Sequence, residues 1–219
     1  MATGAAYRKL TVPDLGRFEG VGVYYGATRV EAQLCGGQEI AVVGGGNSAG
    51  QAAVFLSGIA RHVHLLVRGA GLADSMSRYL IRRIEESPAI TFRPHTQIEA
   101  LEGDGRLERI WWRSAAAPAP ECRDIRHVFS MTGADANTGW LGDCLTLDAR
   151  RFIKTGLDLA PAELEAAQWP LRRRPLQFET SLPGVFAVGD VRAGSMKRVA
   201  SAVGEGSAVV QLVHNALAE

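Results

Sequence analysis

One stretch, residues 39–68, constrains this chain more than any other. Glu39–Val43 is a short, mostly apolar run of the kind that forms a strand buried on both faces. It runs into Gly44-Gly45-Gly46-Asn47-Ser48-Ala49, the pattern G-x-G-x-x-A. Beyond the turn, Ala49, Ala52, Ala53, Leu56 and Ala60 fall on one face of a helix. Residues 62–67 then read as a second strand. The pattern therefore lies in a strand–turn–helix–strand unit, the setting in which it signals dinucleotide binding. Gly44 permits the tight turn, Gly46 lets a pyrophosphate approach the backbone, and small Ala49 lets helix and strand pack closely. The helix start offers N–H groups and the positive end of a dipole to phosphates. A glycine-rich turn of another nucleotide-binding α/β fold, such as a methyltransferase, is the alternative.

A chain of 219 residues can bury a real core as one large domain or two small ones. Its net charge of +1 gives no reason to expect nucleic acid or a membrane surface as partner. The C-terminal apolar run is broken by Glu205, Gln211 and His214, too polar to span a bilayer. No signal-peptide pattern occupies residues 1–30, so a cytoplasmic location is expected. Cys35, Cys122 and Cys144 have no C-x-x-C spacing, which suggests reduced, mostly structural thiols rather than a disulfide framework or metal site.

Taken in order, residues 15–32 mix glycines and aromatics and read as a connecting segment, and residues 35–38 as a turn before the central strand. At the end of the second strand, Val67-Arg68-Gly69 offers no carboxylate for a ribose 2′-hydroxyl, whereas Arg68 suits a 2′-phosphate, the alternative being a solvated surface arginine. Asp74 or Ser75 can cap a helix running to about Glu86, with Met76, Tyr79, Leu80 and Ile84 on its apolar face. Residues 89–92 read as a third strand. Residues 97–101 and 107–112 alternate around Gly103-Asp104-Gly105, a hairpin signal on which Trp111 and Trp112 are packing residues. Residues 127–131 form a further strand, closing a nucleotide-binding domain over residues 21–134 with a hairpin insertion.

After Trp140, residues 143–154 and 160–169 are irregular by pattern, and Arg172-Arg173-Arg174 reads as a solvated charge run. Residues 176–179 read as a strand, residues 180–184 as a turn, and residues 185–190 as a buried strand ending in Gly189-Asp190. A long helix follows from about Ser195, with Val199, Ala202, Val203, Gly206, Val210, Val213 and Leu217 along one face. A strand ending in Asp beside a helix start suits an anionic or hydroxyl-rich cofactor.

Together these pieces resemble the low-molecular-weight thioredoxin reductase family of pyridine-nucleotide flavoproteins. The matching stretches are GGGNSA at 44–49, TSLPGVFAVGDV at 180–191 and KRVASAVGEG at 197–206. Ala2-Thr3-Gly4 and residues 133–138, beginning at Gly133, match the family's two domain crossovers. The resemblance implies an α/β architecture in which a Rossmann-like NAD(P)-binding domain, residues 21–134, is inserted in a partial, discontinuous FAD-binding domain, residues 1–20 and 135–219. It implies NADPH and FAD as cofactors, with Thr3, Gly4 and Gly133 at the crossovers and Gly189-Asp190 at the flavin's ribityl or phosphate region. Lys197-Arg198-Val199 would face the flavin's pyrimidine edge.

Three departures qualify that resemblance. The chain has no second G-x-G-x-x-G ahead of Ala2-Thr3-Gly4, and so resembles a fragment lacking the N-terminal FAD-binding half. The redox Cys-x-x-Cys is replaced by Tyr24-Tyr25-Gly26-Ala27. Of the family's three-arginine 2′-phosphate clamp only Arg68 remains, with Gly69 and Ala73 at the other places. The expectation is an NADPH:flavin oxidoreductase module with an unidentified acceptor. It needs no catalytic side chain, because the cofactors carry the chemistry. A non-catalytic nucleotide-binding or interaction fragment is the second reading. Residues 185–188 and the final helix are expected to expose apolar surface, to be covered in a homodimer or by an upstream FAD-binding segment.

Overall fold

In the computed structural model, which describes residues 1–218, the chain divides into two compact units. One is residues 7–133, and the other is residues 1–6 with the chain from 134 onward. The elements begin with β1 (Ala5–Tyr7), β2 (Val23–Tyr24), α1 (Arg29–Leu34), β3 (Glu39–Val43), α2 (Asn47–Leu56), β4 (His62–Leu66) and α3 (Arg78–Glu85). They continue with β5 (Ile90–Arg93), β6 (Thr96–Glu102), β7 (Arg109–Ser114), β8 (Glu121–Arg123), β9 (Val128–Ser130) and β10 (Ala134–Ala136). Two helices, α4 (Pro161–Ala166) and α5 (Val199–Leu217), complete the chain.

The central unit is organised by a parallel sheet of order β2-β9-β3-β4-β5. Period-two alternation sends each strand's side chains to two different cores. Ile40, Val42, Val63, Leu65 and Phe129 pack with Ala49, Ala53, Leu56, Leu80 and Ile84 of the helices. Ala41, Leu66 and Val128 pack on the other side with Ile98, Ile110 and Trp112 of the antiparallel meander β6-β7-β8. Both faces are covered, which is why these strands read as continuous apolar runs.

Several sequence expectations are corrected here. The connecting segment at 15–32 contains β2 and most of α1, whose N-cap Thr28 and N3 Glu31 form a capping box. Leu15 and Phe18 are buried in the meander-side core, so residues 7–20 group with the central unit, not with the outer part. The helix expected from Asp74 or Ser75 begins at Arg78, with Ser77 at its N-cap, and Tyr79 faces outward, 66% exposed. The hairpin gains a third strand, β8. Trp112 is fully buried, flanked by the Arg93 and Arg123 guanidiniums at 4.8 and 5.5 Å from its ring centroid.

In the outer unit, β1 and β10 form a two-stranded ribbon. Residues 176–179 and 185–190, expected as strands, form no ladder; a single bridge joins Glu179 and Phe186. The Ala187 N–H reaches the Phe178 carbonyl and the Val188 N–H that of Met1, so backbone polarity is satisfied by single bonds to irregular neighbours. Phe186 and Ala187 are buried rather than exposed. Pro161–Ala166, expected to be irregular, is helical, its first turn closed by the Ala160 N–H donating to the Glu163 carboxylate at 2.8 Å. The arginine run is not simply solvated, since Arg173 donates at 2.6 and 3.2 Å to Glu179, which is 0% exposed. Of the three cysteines only Cys35 is buried; Cys122 and Cys144 are exposed.

Candidate functional site

The sequence-derived site residues fall into two groups, one in each unit. In the central unit the glycine turn joins β3 to α2 at the carboxyl edge of the sheet. Gly44 has φ of 142°, and a Cβ there would lie 2.4 Å from the Met131 carbonyl oxygen, so no other residue fits. Gly46 differs. Its φ is −92°, open to any residue, and a Cβ would meet only the Ser75 carbonyl oxygen at 3.8 Å. The chain's own packing does not demand glycine at 46, but a group lying along the backbone there would.

Gly46 is the N-cap of α2 and no side chain caps the helix start, leaving the first N–H groups turned outward. Asn47 and Ser48 are exposed, while Ala49 and Gly50 are buried under the helix. Asn47 holds structure: its side-chain oxygen accepts the Ser77 N–H at 2.8 Å. The Ser75 hydroxyl donates to the Gly45 carbonyl at 2.9 Å. Residues 75–77 are thus tied to the glycine turn at two points, a strap hidden from a sequence reading that starts the helix at a cap on Asp74 or Ser75 rather than on Ser77. Arg68 follows β4, exposed and without a hydrogen bond or ion pair among the described residues.

Residues 24–27 begin on the last residue of β2. Tyr24 packs on Phe129 with ring centroids 5.4 Å apart, and Tyr25 donates from its hydroxyl to Glu19 at 2.5 Å. Gly133 has φ of 100° and accepts the Arg8 N–H at 2.9 Å.

In the outer unit Thr3 and Gly4 are clasped by Asn137. The Thr3 hydroxyl donates to the Asn137 carbonyl at 3.0 Å, and the Asn137 side-chain nitrogen donates to the Thr3 carbonyl at 2.8 Å. The Asn137 N–H donates to the Gly4 carbonyl at 3.1 Å. Asp190 sits half-buried in the turn Gly189–Val191. Sequence reasoning passed over Glu205, which organises that turn. Its carboxylate accepts the Gly189 N–H at 2.6 Å and Arg192 Nη2 at 2.5 Å. Burial works against that charge, yet Arg192 and the Gly189 N–H hold the Glu205 carboxyl below its usual range. Lys197 lies with its ammonium 4.1 Å from the Phe152 ring centroid; burial lowers its pKa, with Asp190 and Asp148 acting the other way. Arg198 is the N-cap of α5 and Val199 its first residue, and both are exposed.

A model of the family described as pyridine nucleotide-disulphide oxidoreductase matches residues 1–206. An NADH dehydrogenase of Ferdinandcohnia aciditolerans is 30% identical over 208 residues, 94% of this chain and 36% of that protein. A thioredoxin reductase of Mycoplasma pneumoniae is 29% identical over 218 residues, 99% of this chain and 62% of that protein. Among solved structures, thioredoxin reductase from Streptococcus pyogenes superposes with a TM-score of 0.74 at 26% identity, covering 99% of this chain and 64% of that one. The chain therefore spans between about a third and two thirds of the length of the relatives it matches.

Proposed function

Because the chain belongs to the pyridine nucleotide-disulphide oxidoreductase family, with a thioredoxin reductase-like fold, we propose that it is an NADPH-binding module of a flavin-dependent oxidoreductase in the cytoplasm. The observation that carries this reading is the pairing of an obligatory Gly44 with a Gly46 that the fold itself does not require, at an uncapped helix start. Pyrophosphate oxygens would accept from the first N–H groups of α2. Arg68 would pair with the ribose 2′-phosphate, where no carboxylate of the second strand's end competes. In the outer unit, the Gly189–Val191 turn that carries Asp190 suits a hydroxyl-rich or anionic group, and Glu205 fixes it. FAD, when bound, would supply the hydride acceptor. The side chains named here orient and neutralise, and none need act as acid or base.

A dithiol relay to disulfide substrates is not part of the proposal. Tyr24-Tyr25-Gly26-Ala27 occupies the position of the family's redox pair, and the three cysteines are far apart in sequence. The electron acceptor is therefore proposed to be something other than a disulfide reached through this chain's own thiols.

Calorimetric titration with NADPH and NADH tests the reading. One charged hydrogen bond contributes about 1.5–3 kcal/mol, which corresponds to roughly tenfold to a hundredfold preference for NADPH. Arg68→Ala should abolish the preference while leaving NADH binding intact. Equal affinities in the unaltered chain would remove Arg68 from the site, and absence of binding by either nucleotide would sink the proposal.

A further inference from the structure

The sheet order tells which end of a dinucleotide lies where. From β3 the strands run outward through β4 and β5 on one side, and through β9 and β2 on the other. The boundary between β3 and β9 is thus the switch point, where a ligand crosses the carboxyl edge of such sheets. Val43 pairs with Ser130 there, and Gly44 lies against the Met131 carbonyl just beyond. Arg68, after β4, marks the adenosine side. The other half of the molecule must then extend over the carboxyl ends of β9 and β2.

A preformed aromatic stack stands at that place. Tyr25 follows β2, whose Tyr24 is in register with Phe129 of β9. Tyr7 precedes Arg8, which is bound to the end of β9 through its N–H to the Gly133 carbonyl and its carbonyl to the Thr132 hydroxyl, at 2.9 and 3.0 Å. The Tyr7 and Tyr25 rings lie 6.0 Å apart between centroids and within 12° of parallel. Tyr7 is 52% exposed, too open for a packing residue alone. Tyr25 is fixed through its hydroxyl by Glu19, itself held by Lys9 at 3.0 Å. The Lys9–Glu19–Tyr25 chain immobilises the ring edge and leaves the stack's outer face open.

We propose that the Tyr7–Tyr25 stack is the platform for the nicotinamide ring, and that it favours the oxidised, cationic pyridinium over the uncharged dihydropyridine. The inference rests on the dinucleotide reading above. Its chemistry is the attraction of a flat cation to the electron-rich outer face of a stacked pair of phenols. A phenol is neutral at physiological pH, and burial, then the bond to Glu19, push the Tyr25 pKa further up.

The test compares ligands that differ only by the nicotinamide: NADP+ against 2′-phospho-ADP-ribose, and NAD+ against ADP-ribose, titrated into the full chain. Running both pairs frees the answer from any contribution of Arg68. The unaltered chain should bind the nicotinamide-bearing member about two- to fivefold more tightly. Tyr25→Leu should bring that ratio to one with the affinity for the nicotinamide-free ligand unchanged, and Tyr25→Phe should retain most of it. Tyr7→Leu, at an exposed position, gives the same readout without risk to folding. A ratio of one in the unaltered chain, or a ratio unmoved by both leucine variants, overturns the platform and leaves the glycine-turn reading standing. Failure of every one of these ligands to bind overturns both.

Discussion

At the scale of single residues, Gly44 and Gly46 separate two demands that a sequence pattern merges. Gly44 answers to the fold, because its backbone is left-handed and the Met131 carbonyl fills the space beside it. Gly46 has no such cause in the fold, because neither its backbone nor its neighbours exclude a side chain, and the proposed reading assigns it to the nucleotide. Gly44→Ala should therefore destabilise the chain by about 1–3 kcal/mol or more, from strained backbone and overlap. Gly46→Ala should cost at most about 1 kcal/mol while weakening nucleotide binding by an order of magnitude or more. Urea denaturation and nucleotide titration of the two variants check this, and equal losses of stability would refute the division. Arg173 and Glu179 show the converse: three adjacent arginines read as solvated, yet the middle one neutralises a fully buried carboxylate.

At the scale of elements, the sheet and the meander are joined by a polar contact inside an apolar interface. His64, on β4, is buried and accepts Arg93 Nε at Nδ1, 3.2 Å away, while its Nε2 faces Glu39 at 3.3 Å. Its ring meets Trp112 edge-on with centroids 5.2 Å apart. Burial lowers the pKa of His64; Glu39 works against the shift, and Arg93 and His62 reinforce it. A folded-state pKa below that of the unfolded chain means the unfolded state binds more protons as acid is added. The stabilisation is full above about pH 6.5, the ordinary histidine value, and is lost as pH falls through the folded pKa. Burial and Arg126 lower His127 in the same sense. Denaturation midpoints should drop between pH 7.5 and pH 5.5, less in His64→Gln and least when His127 is replaced as well. A flat profile in the unaltered chain would contradict the geometry.

At the scale of the whole molecule, the two units differ in how far they complete themselves. The central unit covers both faces of its sheet. In the outer unit no residue of α5 is buried, and Val199, Val203, Val210 and Leu217 are between 55% and 82% exposed. A nineteen-residue helix with such a face gains little stability from burial within this unit, and self-association is the expected way to cover it. In the proposed reading Asp190 serves the flavin end of FAD, and the described residues of that unit hold no glycine-rich turn for the adenosine end. The 219-residue chain should therefore purify colourless, with less than stoichiometric flavin absorbance, and should self-associate with rising concentration in sedimentation. Stoichiometric FAD on a monomer would show that these residues suffice. No helix among the described residues is long and apolar enough to cross a membrane.

The central strand, the glycine turn and the helix after it were legible from residues 39–56 because their causes are local: side-chain periodicity, the missing Cβ of Gly44, and small alanines where helix meets strand. The meander's hairpin was legible for the same reason, through Gly103 and Gly105 at positive φ. Partners distant in sequence decided the rest. Residues 185–190 have a strand's composition but lie beside irregular backbone, and a strand exists only where a second one pairs with it. Arg173 became a structural residue because Glu179 was buried next to it. Ser75 became a latch because helix α3 starts three residues beyond it, with Asn47 holding the Ser77 N–H between them. The Tyr7–Tyr25 stack, eighteen residues apart in the chain, exists because parallel pairing of β2 with β9 brings both rings to one edge of the sheet. Local sterics are written into neighbouring residues, whereas pairing and burial depend on which distant segments the folded chain brings together.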